Sequence, residues 1–170
     1  VRVTSAHGAA AGSYALILDT TGENLNNLSE ATWTIDLQGQ FRPVLRFKEI
    51  SFGDEVHAMN GAPFTSTFSD GVAFSVDGNA FYRLWTPTVN DPVNVWTERV
   101  IDLAVVASGL GIQLQNTLYL RFQQYDNFPL PQDGRGFDEI SITQAIFQED
   151  WYSFTLADGE KASIKGLTKS

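Results

Sequence analysis

The run Ala31-Thr32-Trp33-Thr34-Ile35-Asp36-Leu37 puts apolar side chains at the odd positions and polar ones at the even positions. A repeat of two belongs to a β-strand, because successive side chains of a strand point to opposite faces. A strand with one dry and one wet face needs a second layer to cover the dry one. Thr117-Leu118-Tyr119-Leu120-Arg121-Phe122 alternates in the same way, with Leu118, Leu120 and Phe122 as the inward set. Trp33, on the dry face of its run, is assigned to the core.

Similar segments recur at the roughly 8–12-residue spacing of two-sheet folds. Strands are expected at Ser13–Asp19, Ala31–Leu37, Val44–Ile50, Gly71–Val76, Phe81–Leu84, Trp96–Leu103, Thr117–Gln124, Phe137–Ile142 and Trp151–Leu156. Val1–Ser5 alternates like a strand already under way, as in a chain that begins inside a larger protein. Asp77-Gly78-Asn79 and Asp158-Gly159 read as hairpin turns, since Gly and Asn accept positive φ. Helical periodicity is weak. Val100–Leu114 is the nearest candidate, and Gly109 and Gly111 limit it to a short turn of helix. The fold class is therefore all-β, an antiparallel β-sandwich of two sheets. Longer loops are expected at Thr20–Glu30, Val56–Asp70 and Asp126–Gly136, and loops of such length often carry function. Residues 1–146 form the sandwich domain. Residues 147–170 form a C-terminal hairpin segment, packed on the sandwich or opening a following module.

Composition excludes several functions. The net charge of −9 and pI near 4.5 repel phosphate backbones and anionic lipid, so neither nucleic acid nor membrane is an expected partner. There is no cysteine, which removes disulfides, thiolate catalysis and thiolate zinc sites. No run approaches the roughly 20 apolar residues of a membrane span. A Gly-x-Ser-x-Gly elbow and a phosphate-cradling glycine loop are both missing. The Asp-x-Glu spacing in Asp158-Gly159-Glu160 lies in a turn, not on a strand that could set two carboxylates about 5–5.5 Å apart for glycoside hydrolysis. His7 and His57 lie in polar loops and read as solvated. A non-catalytic role is expected.

The stretch from Gln123 to Ile140 carries the most chemistry. It runs from a strand through a Pro- and Gly-rich loop into a second strand, and it bears Asp126, Asn127, Asp133, Asp138 and Glu139. Calcium takes 6–8 hard oxygen ligands in irregular geometry, which suits an acidic loop between two strands. Asp54 and Glu55 add an adjacent carboxylate pair after another strand. Asp54, Glu55, Asp126, Asp133 and Asp138 are the candidate ligands of a structural Ca2+. The same residue types also occur in turns for conformational reasons alone. Tyr82, Trp85 and Trp96 are candidates for stacking against a sugar, with Tyr125 beside the acidic loop. Packing in the core is the competing role for each ring.

Gly12–Asp19, Ala31–Leu37, Phe52–Glu55, Asp70–Gly78, Arg121–Asn127 and Phe137–Ile140, in this order, resemble the MAM-like, concanavalin-type jelly-roll modules of large bacterial extracellular proteins. The resemblance spans roughly residues 1 to 146 and is sharpest in the last two motifs. It implies a jelly roll, a secreted or cell-surface setting, neighbouring domains of a larger protein and a structural cation, with Asp138 near that cation. Residues from Glu149 to Glu160 resemble the start of a bacterial pre-peptidase C-terminal domain. The expected function is a carbohydrate-binding module with a polysaccharide or glycan partner, and the alternative is a structural or adhesive spacer.

Overall fold

The computed structural model describes residues 1–19, 26–40, 42–64, 68–127 and 133–145. Among the described residues, nine strands and one short helix follow in the order β1 (Arg2–Thr4), β2 (Ala15–Leu18), β3 (Asn27–Asp36), β4 (Pro43–Ser51), β5 (Gly71–Ser75), β6 (Tyr82–Trp85), β7 (Thr97–Asp102), α1 (Leu103–Gly109), β8 (Thr117–Asp126) and β9 (Arg135–Gln144). A five-stranded sheet has the order β1-β2-β9-β4-β7, and a four-stranded sheet has the order β3-β8-β5-β6. Every strand pairing is antiparallel. The protein is thus an antiparallel β-sandwich of two sheets, as its alternating runs require. The expected strand Trp151–Leu156, the Asp158-Gly159 turn and the segment 147–170 lie outside the described residues.

The core is the sum of the inward faces. Leu118, Leu120 and Phe122 of β8 are buried and meet Leu45 and Phe47 of β4 and Phe137 of β9. The rings of Phe47, Phe122 and Phe137 stand 5.1–6.0 Å apart in edge-on and tilted arrangements. Such geometry suits the aromatic quadrupole. Between these inward residues the wet face shows through, as in exposed Arg46.

Trp33 departs from expectation. It pairs with Leu120, so the phase of the strand places it on the inward face. It is nevertheless 45% exposed. The reason is its position in β3, the edge strand of its sheet, where alternation sets direction but no neighbour closes the cover. The helical segment is also longer than a single turn. Asp102 caps α1 by accepting a hydrogen bond from the Val105 N–H at 3.1 Å, and Leu103 and Ala107 enter the core. A carboxylate at this position satisfies a donor that the first helical turn leaves free. The Asp77-Gly78-Asn79 turn joins β5 to β6. Asp77 accepts from the N–H groups of Asn79 and Ala80 at 2.8 and 2.9 Å, and Gly78 takes φ +76°.

Candidate functional site

Three strand ends and one loop converge at one end of the sandwich. The inward face of β8 continues past Phe122 through Gln124 to Asp126, exchanging an apolar surface for a polar one. On the opposite sheet β2 pairs with β9, and Leu18 faces Arg135. Asp19 therefore leaves β2 alongside residues 133–134. Gly134 makes this approach possible, since a Cβ there would lie 2.2 Å from the Leu18 carbonyl oxygen and 2.8 Å from the Asp19 Cβ. β4 flanks β9 on its other side. Its exit is fixed by Ser51 facing Arg135 and by the Phe52 N–H donating to the Gly134 carbonyl at 3.0 Å. That anchor delivers Asp54 and Glu55 to the same end.

The carboxylates form two triads. One oxygen from each of Asp19, Asp126 and Asp133 lies within 4.8 Å of the others, and so does one from each of Asp54, Glu55 and Asp126. The side chains of Asp19 and Asp54 are fully buried. Asp19 Oδ1, both Asp54 oxygens, Glu55 Oε1 and Asp133 Oδ1 meet no hydrogen-bond donor at bonding geometry. Buried polar atoms nearly always find a partner, so a cluster of orphan oxygens asks for an explanation.

Cations of the protein answer only part of this charge. Arg135, 1% exposed, places Nε 3.5 Å from Asp54 Oδ2 and one terminal nitrogen 3.7 Å from Glu49 Oε2. Arg99 holds Glu49 Oε1 at 2.7 Å and Asp91 at 2.9 Å. Arg2 approaches Asp19 Oδ2 at 3.3 Å from a more exposed position. Burial and the charge of Asp70 push the Asp54 carboxyl up to about 8, against the pull of Arg135. Burial likewise raises Asp133, and the charges of Asp126, Glu55 and Asp19 add to it. Asp70 is also raised by burial, but its oxygens are engaged, accepting from the Tyr125 and His57 N–H groups at 2.8 Å each. Asp70 therefore reads as a tie between loop and strand.

Asp54, Glu55, Asp126 and Asp133 are thus brought together, and Asp138 is not. Asp138 follows inward Phe137 and so faces outward, opposite Lys48. Its Oδ2 accepts from the Ala10 and Ala11 N–H groups at 2.7 and 3.0 Å, pinning the segment before β2. Asp19 takes its place, a ligand candidate that sequence reasoning missed. The available signal was an acid closing the apolar run Ala15–Leu18, just as Asp126 closes β8.

The aromatic candidates do not share a surface. Tyr82 and Trp85 pack on the core, with Tyr82 5.7 Å from the Phe74 ring and Trp85 6.0 Å from Phe47. The Arg99 guanidinium caps Trp85 at 5.1 Å. Trp96 lies on the outer face of the other sheet, where a Cβ on Gly136 would meet it at 3.2 Å beside Ile17 and Ile50. Tyr125 is wedged between His57 at 5.0 Å and Phe68 at 4.8 Å. All four are partly buried.

No significant match to this chain exists among models of known families, curated proteins or solved structures.

Proposed function

We propose that the chain is a non-catalytic, calcium-stabilised β-sandwich module with a structural or adhesive role in an extracellular or cell-surface protein. The observation that carries this reading is Asp54, a carboxylate with a fully buried side chain, Arg135 no nearer than 3.5 Å, and Glu55 and Asp126 beside it. Such a group either keeps a proton or meets a cation. The donors are all hard oxygens, they come from several elements, and their arrangement is irregular, which favours calcium over magnesium with its strict octahedron. The net charge of −9 suits a cation-collecting surface. Among the described residues no helix is long and apolar enough to cross a membrane.

Glycan binding is the second reading. The packing of Tyr82, Trp85 and Trp96 leaves it without a shared platform among these rings, and among the described residues Trp33 is the exposed tryptophan that supports it.

Thermal melting with and without chelator tests the main reading. A ligand that binds only the folded state stabilises it by about 2.7–4.1 kcal/mol at 100–1,000 times its Kd. Chelation is expected to lower the melting temperature by several degrees, and added calcium, not magnesium, should restore it. An unchanged melt in chelator would remove the cation. Retention on immobilised polysaccharides, lost in Trp33→Ala, would move the second reading to first.

A further inference from the structure

We propose that this acidic end holds two divalent cations, with Asp126 shared between them. The inference rests on the cation reading above and adds its stoichiometry. Calcium–oxygen bonds measure about 2.3–2.6 Å, so two ligands of one ion lie at most about 5 Å apart. Each triad meets that limit internally at 4.8 Å, and Asp126 belongs to both. Two oxygens let one carboxylate reach two ions, as in two-metal sites generally.

Each triad also contains its own buried, unmet oxygen. In the first it is Asp19 Oδ1 and in the second it is the Asp54 carboxylate, and both side chains are fully shielded from solvent. An ion seated in one triad leaves the orphan of the other unanswered.

Charge points the same way. Arg135 is divided between Asp54 and Glu49, Arg2 touches Asp19 from the rim, and Asp70 adds a further buried carboxylate beside Asp54. Five triad carboxylates against these arginines stay negative after one dication and approach balance with two. The Asp54 triad has Arg135 at 3.5 Å and the Asp19 triad has Arg2 at 3.3 Å, but Arg2 is 39% exposed and its charge is better screened by water. The Asp19 triad should therefore fill first.

The test uses the whole chain, stripped with chelator and titrated with calcium chloride in a calorimeter, with elemental analysis at saturation. Two ions per chain and a two-step isotherm are expected. Asp19→Asn and Asp54→Asn should each retain one ion, with far-UV circular dichroism confirming the fold. One ion in the unaltered protein would overturn the second site and leave the cation reading intact. No ion would overturn both. Loss of both ions in Asp19→Asn, with the fold preserved, would overturn the division into two triads.

Discussion

The inward face of β8 has two halves that sit in the same layer and behave oppositely. Leu118, Leu120 and Phe122 meet other apolar side chains and lose nothing on leaving water. Gln124 and Asp126, next on the same face, are equally buried yet enter a neighbourhood of carboxylates. Apolar burial is worth roughly 25 cal/mol per Å2 and favours folding, whereas a buried unpaired charge opposes it. The apolar half holds the sandwich together. On the proposed reading, the acidic half is tolerated because a cation completes what Arg135 and Arg2 answer only in part.

The largest break in this contrast comes from the apolar half. Phe122→Ala is expected to lower stability by about 3–5 kcal/mol, read as a shifted urea midpoint, and by the same amount with calcium or chelator present. The acidic half should instead respond to pH. Asp54 titrates near 8 in the folded chain against 3.8 as its ordinary value. Its pKa is raised, so without calcium its contribution is fully present below about 3.8 and is lost as pH rises through about 8. Burial of Glu49, Asp70 and Asp133 acts in the same direction. Calcium-free melting temperatures should therefore fall by several degrees between about pH 5 and 8, and saturating calcium should flatten that slope. A rising calcium-free curve over that window would contradict the burial of these acids. Asp54→Asn sharpens the contrast through a change of sign. Above about pH 8 without calcium it should melt a few degrees higher than the parent, and with calcium lower, because the same charge is a burden alone and a ligand when paired. The smallest effect is expected at the sandwich edge, where Trp33→Ala should cost about 1 kcal/mol or less in denaturant unfolding.

Much of the fold was legible because alternation is a local property. Ala31–Leu37 and Thr117–Phe122 announce their strands and even their inward sets, and Leu118, Leu120 and Phe122 lie where the pattern puts them. Position within a sheet is not local. Trp33 has the right phase and the wrong burial because nothing in its own segment says that β3 lies at an edge. The site divides in the same way. Asp126 and Asp133 flank one loop, and Asp54 and Glu55 follow a strand, so their residue types were readable. Asp138 was drawn in by nearness in sequence to that loop, although one step along a strand turns a side chain to the opposite face. Asp19 was hidden because its link to the site runs through the pairing of β2 with β9 and the absence of a Cβ at Gly134. Arg135 was hidden likewise, its interior place fixed by pairing with Ser51 and Leu18.

The acids at this end come from positions far apart in the chain, from Asp19 through Asp54 to Asp133. An ion joining them would bridge long loops of backbone, the task that disulfides perform in many proteins. This chain has no cysteine with which to build one. A coordinate cross-link of this kind is indifferent to reductants, closes only once the strands have met, and can be opened by acid or by a stronger chelator.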